Sequence, residues 1–334
     1  MKIVVLAGGL SMERDVSLAS GSLIANALRN AGHEAVLVDL YYGIKKDKMN
    51  FEDMSGRYKY TIPEVAPDLD AIIAENGGRS EPVGKNVIEF CKMADVTFLA
   101  LHGGVGENGK LQALLEMNGI RFTGSSSIGC MLSMDKIISK ELIAQAGIPT
   151  AHWLTNDNSR EEINALVPCF VKPSDNGSSV GISKVVSNID LNDAIKEAEK
   201  YSKRVLIEEQ IVGREFSVGI IDGEALPPIE IIASGDFYNY KVKYQVGLAH
   251  EECPAHIDIK LTKKLQKYAE KAHKVLRLGS YSRIDFIMDE NGEFFFLEAN
   301  ALPGMTPTSL LPQEAAVAGI SYTNLCLKLI ELAK

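Results

Sequence analysis

The 334-residue chain is 46% hydrophobic and 24% charged, the make-up of a soluble globular protein long enough for two or three domains. Its net charge of −9 argues against nucleic acid or an anionic membrane as the main partner, though not against a local basic pocket for phosphates. Five scattered cysteines without a CxxC pair argue against a disulfide scaffold or zinc site; with no signal-like start and no apolar run of membrane-spanning length, the expected location is the cytoplasm.

In chain order, Ile3–Ala7 is a short β-branched strand followed by Gly8-Gly9, and a helical pattern runs from about Val16 to Asn30. His33–Leu40 reads as a second strand, residues 41–85 are irregular, and Asp95–Leu101 is a buried strand leading into HGGVGENG and a helix over Lys110–Met117. Strands alternating with helices predict a parallel α/β domain ending near Gly124-Ser125. A second unit opens with Ser133 as N-cap and a helix Met134–Ala146, stopped by Gly147-Ile148-Pro149. Strands at Cys169–Lys172, about Val180–Val186 and Arg204–Glu209 follow, with a helix near Leu191–Tyr201. A third unit has strands at Glu215–Ile221 and Leu226–Ile232, an aromatic segment FYNYKVKYQVG, a long helix near Leu261–Leu276, a hairpin, and a terminal helix from about Thr323.

The hairpin is Ser282–Met288 and Glu293–Ala299 around the turn Asp289-Glu290-Asn291-Gly292. With a four-residue turn, Met288 pairs with Glu293 and Asp285 faces Phe296. Alternation sends Arg283, Asp285, Glu298 and Asn300 to one face, and Ile284, Phe286, Met288, Phe295, Leu297 and Ala299 to the other. Two carboxylates and an amide oxygen form a hard, oxygen-only site that suits Mg²⁺ with nucleotide phosphates. The plainer alternative, a cross-strand Arg283–Glu298 ion pair, explains neither Asp285 nor Asn300.

Other segments carry weaker signals. In FVKPSDNGSSVG, Lys172 ends a strand before a loop of small polar residues with Gly177, Ser178 and Ser179, which suits phosphate or an ordinary turn. Lys136 lies at a helix N-terminus, unfavourable for a cation unless an anion is near. Glu208, Glu209 and Glu215 could meet a ribose or simply face solvent. Gly104–Lys110 is a near miss to a P-loop, with Leu111 where Ser or Thr belongs, and Gly8-Gly9 lacks the third glycine of a dinucleotide turn. His102 reads equally as a ligand or base and as a structural histidine. No Ser–His–Asp or Cys–His arrangement stands out.

In order, LAGGLSMERDVSL, LHGGVGENGKLQALLE, TGSS, SMDK, FVKPSDNGSSVGISKV, VLIEEQIVGREFSV, FYNYKVKY, SRIDFIMD and FLEANALPGMTPTSLLP resemble the D-alanine–D-alanine ligases of the ATP-grasp superfamily. The match spans nearly the whole chain and is weakest over residues 41–90. It implies an α/β and α+β architecture: an N-terminal parallel α/β domain over residues 1–124, and ATP-grasp subdomains over 125–209 and 210–334 with ATP between them. It implies that Lys136 and Lys172 contact phosphates under a loop carrying Ser178 and Ser179. Glu208 and Glu209 would flank adenine, Glu215 the ribose, and Ile211 and Lys243 would complete the nucleotide site. Asp285, Glu298 and Asn300 would hold two Mg²⁺ or Mn²⁺. Glu13 would bind the first D-alanine's ammonium, and Arg283 and the Gly304 N–H the oxyanion. His102, Ser309 and Leu310 would serve the amino acids, and Glu13, Ser178 and Tyr244 would form a triad closing the lid. The expected assembly is a homodimer without nucleic acid or membrane partners.

Two positions depart from the family pattern: Asn108 stands where aspartate is usual, and Ala301 follows Asn300 where threonine is common. Three alternatives stay open: D-serine or D-lactate as second substrate, another ATP-grasp carboxylate–amine ligase, and a nucleotide-binding regulator without turnover.

Overall fold

The computed structural model describes residues 1–52, 57–63, 65–177, 180–233 and 249–334. Strand β1 (Lys2–Ala7) is the centre of a parallel sheet, flanked by β2 (Glu34–Asp39) and β3 (Val96–Leu99) in the order β2-β1-β3. Ile3 to Ala7 are fully buried, as a parallel strand covered on both faces requires, so the strand reads as an unbroken apolar run. Helix α1 (Arg14–Asn30) crosses from β1 to β2. Gly21 lets it lie close to the sheet, since a Cβ there would meet the Ala7 Cβ at 2.7 Å. The irregular stretch holds a 3-10 turn at Lys46–Lys48 and short helices α2 (Leu69–Glu75) and α3 (Val87–Cys91); α4 (Lys110–Met117) follows as expected.

The second unit starts differently from expectation. Ser133 is not an N-cap: it lies within a separate helix α5 (Ser127–Met134), where its hydroxyl donates to the Gly129 carbonyl at 2.9 Å. The cap of α6 (Lys136–Gln145) is Asp135, whose carboxylate accepts from the N–H groups of Ile137 and Ile138, a stronger signal two residues on. Next come β4 (Trp153–Thr155), α7 (Arg160–Ala165), β5 (Cys169–Pro173), β6 (Ser183–Val185), α8 (Leu191–Glu199) and β7 (Val205–Glu209). The strands form an antiparallel sheet β4-β7-β5-β6.

The third sheet is also antiparallel: β8 (Arg214–Ile221), β10 (Ile229–Ala233), β11 (Ala249–Glu252), β12 (Tyr281–Met288) and β13 (Phe294–Asn300) run β11-β10-β8-β12-β13, with β9 (Glu224–Ala225) beside β8. The strand expected from Leu226 begins only at Ile229, because Pro227 and Pro228 cannot donate to a ladder. Helix α9 (Ile259–Val275) packs Leu265, Ala269 and Ala272 onto Phe216, Val218, Ile220, Ile284 and Phe286. The opposite face carries Ser217, Gly219, Arg283 and Asp285, and is overlain by α10 (Leu310–Val317), where Glu314 accepts from the Gly219 N–H at 2.8 Å. Helix α11 (Tyr322–Glu331) ends the chain.

The hairpin register corrects the expectation. Met288 pairs with Phe294, Phe286 with Phe296, and Asp285 with Glu298, because a bulge falls between Asp285 and Phe286. Leu297 is the extra residue, so alternation restarts within β13. Phe294 and Phe296 join the core, while Phe295 and Leu297 are only partly buried. Without the bulge, Phe296 and Glu298 would share a face. With it, Phe296 packs edge-on against Phe286 at 6.1 Å and Glu298 stands directly opposite Asp285.

Candidate active site

Asp285 collects the site face of the third sheet. Arg283 donates to both its oxygens, Nε to Oδ1 at 2.9 Å and Nη2 to Oδ2 at 2.7 Å. Ser217 Oγ donates to Oδ1 at 2.6 Å, and Asn300 Nδ2 to Oδ2 at 3.0 Å. Burial disfavours the Arg283 charge, but Asp285, with help from Glu298 and Glu314, more than offsets this and holds the guanidinium firmly ionised. Glu314 is itself fully buried, and burial raises its carboxyl well above the ordinary range against the pull of the Gly219 N–H and Arg283. Glu314 and Ser217 were not singled out from the sequence; their places follow from which strand and helix pack beside β12.

The donor set fits a hard cation. Asp285 and Glu298 are paired in the ladder, and Asn300 lies within hydrogen-bond distance of Asp285. Among the described residues no three His, Cys, Asp or Glu side chains converge, so the candidate ligands are two carboxylates and an amide oxygen. The four donors on Asp285 fill about the four lone-pair sites of a carboxylate, and a cation there takes the place of at least one of them.

The second sheet offers cations. Lys172 Nζ pairs with Glu208 Oε2, and Lys140 Nζ with Glu208 Oε1 at 2.5 Å. Burial alone would raise the Glu208 carboxyl; the two lysines outweigh it and hold it down at about 2. Lys136 Nζ donates to the Asn176 carbonyl at 2.6 Å, and its backbone N–H to the Ser174 carbonyl at 2.8 Å. The N-terminus of α6 is thus fastened to the loop after β5. Glu209 ends β7 and is exposed, Ile211 lies partly buried on the link to β8, and Glu215 is the second residue of β8. Lys140 was not foreseen; its only signal was the i, i+4 spacing from Lys136.

The remaining wall comes from the first unit. Glu13 is buried at the N-cap position of α1, and its Oε2 lies 3.3 Å from where a Cβ of Gly103 would sit. Ser11 Oγ donates to the His102 carbonyl at 2.6 Å. His102 is buried, with Nδ1 3.8 Å from Glu107 Oε1 and Nε2 without a hydrogen-bond partner among the described residues. Gly304 brings the hairpin to this wall: a Cβ there would meet Ser309 Oγ at 2.8 Å and His102 Cε1 at 4.0 Å. Ser309 precedes α10 and bonds to Thr306, whereas the Leu310 side chain is buried against Ile229 and Ile231. The structure thus brings together His102, Gly304 and Ser309, and separately Arg283, Asp285 and Asn300. Ser178, Ser179, Lys243 and Tyr244 lie outside the described residues.

Residues 2–125 match the family described as D-ala D-ala ligase N-terminus, and residues 142–331 the family described as D-ala D-ala ligase C-terminus. A D-alanine–D-alanine ligase of Pediococcus pentosaceus is 40% identical over 98% of this chain and 95% of its own length. The fold is similar to a D-alanine–D-alanine ligase of Bacillus anthracis complexed with ATP (TM-score 0.77, 30% identity, covering 99% of this chain and 96% of that one). It is also similar to the VanG D-Ala:D-Ser ligase of Enterococcus faecalis (TM-score 0.76, 28% identity, covering 99% and 98%). Matched by both family models and by relatives along almost all of its length, the chain belongs to the D-alanine–D-alanine ligase family, ATP-dependent ligases of the ATP-grasp fold.

Proposed function

We propose that ATP lies between the second and third sheets and that two D-alanines meet beside Glu13, His102, Gly304 and Ser309. The reaction is the ATP-dependent ligation of two D-alanines to D-alanyl-D-alanine, for peptidoglycan precursor synthesis. The observation that carries the site reading is the approach of Gly304 to both Ser309 and His102. It joins the hairpin bearing Asp285 to the N-terminal loops, so phosphate and amino acid chemistry share one wall.

In this reading Glu13 takes the ammonium of the first D-alanine and aims its carboxylate at the γ-phosphate. Lys136 and Lys172 offset charge on the transferring phosphoryl group, a role that Ser178, Ser179 and Lys243 would share. Glu208, Glu209, Ile211 and Glu215 serve the nucleoside end. Asp285, Glu298 and Asn300 would hold two Mg²⁺ or Mn²⁺, which when bound neutralise phosphate charge. A carboxylate oxygen attacks phosphorus, ADP leaves, and an acyl phosphate remains. The amine of the second D-alanine, received by Ser309 and Leu310, then attacks the acyl carbon. Arg283 and the Gly304 N–H meet the oxyanion, His102 stands beside it, and phosphate leaves. Glu13, Ser178 and Tyr244 would together serve to keep water from the acyl phosphate.

Each of residues 1–124, 125–209 and 210–334 carries its own sheet, which supports the division into three units. The resemblance extends to a cytoplasmic homodimer. A D-serine acceptor is the second reading, supported by the similarity to the D-Ala:D-Ser ligase; a hydrophobic pocket rejects an added hydroxyl by only about 10²-fold. An amine must lose its proton to attack, so amine acceptors gain with rising pH, whereas a hydroxy acid has no ammonium to deprotonate. Competition of D-alanine with D-serine and D-lactate at neutral pH, read by mass spectrometry, should give mainly D-alanyl-D-alanine. Mainly D-alanyl-D-serine would establish the second reading, and mainly depsipeptide would overturn both.

A further inference from the structure

Lys140 is buried one helical turn beyond Lys136 on α6, with 1% of its side chain exposed. Its Nζ donates to Glu208 Oε1 and to Thr150 Oγ1, each at 2.5 Å, and lies 5.2 Å from the centre of the Trp153 ring. Thr150 in turn donates to the Phe296 carbonyl at 3.0 Å, which ties this cluster to the hairpin strand β13. The other oxygen of Glu208 accepts from Lys172, whose side chain is 15% exposed. One buried carboxylate therefore has two ammonium partners, one sealed inside and one partly exposed.

A phosphate arriving at Lys172 competes with Glu208 for that ammonium. A buried carboxylate that loses its only cation is strongly destabilised, because the desolvation penalty is no longer offset. Lys140 is placed to remove this obstacle: it holds the other oxygen, Oε1, and is itself held by Thr150 beside the Trp153 ring.

We propose that Lys140 is a positioning residue, keeping Glu208 paired so that Lys172 can pass from Glu208 to the phosphates of ATP without stranding a buried charge. The inference rests on the reading of Lys172 as a phosphate-binding residue. It makes Lys140 important for ATP only through Glu208, unlike a lysine that merely ties α6 to the sheet.

The test is calorimetric binding of a non-hydrolysable ATP analogue with Mg²⁺ to the full chain and to Lys172→Met, Lys140→Met, Glu208→Gln and the double variant Lys140→Met/Glu208→Gln. Lys140→Met should weaken binding at least tenfold and raise the KM for ATP, with kcat changed much less. The double variant should bind as Glu208→Gln does, because a neutral amide needs no second cation. An unchanged affinity in Lys140→Met, or a further tenfold loss in the double variant relative to Glu208→Gln, would overturn the proposal. Should Lys140→Met not fold, the comparison of Glu208→Gln with the double variant decides alone. Weakened binding in Lys172→Met beside unchanged binding in Lys140→Met removes only the hand-over. Unchanged binding in Lys172→Met removes the phosphate-site reading, and the hand-over falls with it.

Discussion

Asp285 receives hydrogen bonds from Arg283, Ser217 and Asn300, so a cation reaching it competes with a full set of donors. Glu298, directly opposite in the ladder, would supply the second charge of the proposed metal site. Glu298→Gln keeps the shape and removes that charge. Turnover should fall by about a hundredfold or more, as for loss of a preorganised electrostatic contact, while the melting temperature stays close to that of the parent. Phosphate release measured across a Mg²⁺ titration checks this; near-parental turnover in a folded variant would mean that Glu298 is not a ligand. That Asp285 and Asn300 share a face was legible, because strand alternation puts side chains at fixed spacing, and Asn300 does bond to Asp285. Ser217 and Lys140 were not legible, since what gives each its meaning is a partner chosen by tertiary pairing, and serines and lysines are ordinary surface residues otherwise.

Local patterns located most strands and the long helices, and failed where one residue changes the count. The bulge at Leu297 shifts the register inside one hairpin, and nothing in the alternation of FFFLEAN marks it. Helix α10 was missed for a related reason: Pro312 lies in its first turn, where a missing N–H costs nothing, but in a sequence proline reads as a break. The contact between α9 and β12 carries its own prediction. His273 on α9 bonds through Nδ1 to Ser282 Oγ at 2.7 Å, and burial lowers its pKa to about 4. The unfolded chain then binds the proton first, near pH 6.5, so stability is full above that value and falls as pH drops toward 4. Between pH 6.5 and 5 the loss from this one group should be on the order of 2 kcal/mol. Melting curves of the parent and of His273→Gln check it: the variant should lose less on acidification, and equal losses would show that His273 contributes nothing.

The three sheets and their order along the chain follow from the sequence, but how they close on one another does not. The last helix, α11, packs on the first unit rather than on the sheet that precedes it: Leu325, Leu329 and Ile330 belong to the core built around Ile3 to Ala7. Phe122 and Lys334 exchange backbone hydrogen bonds at 3.1 and 3.3 Å, and Arg121 Nε donates to the Ala333 carbonyl at 3.0 Å. The chain end is thereby fastened to the unit that carries Glu13 and His102. Long-range closure of this kind has no local signature, and nothing in the sequence analysis anticipated it. In the proposed reaction an activated first D-alanine meets the amine of a second beside His102, Gly304 and Ser309. Turnover of ATP with D-alanine labelled with ¹⁸O at both carboxylate oxygens tests this most directly. Attack on the γ-phosphate followed by amine attack predicts one ¹⁸O in each released phosphate and one retained in the peptide carbonyl of D-alanyl-D-alanine. Dipeptide formed with unlabelled phosphate would contradict it.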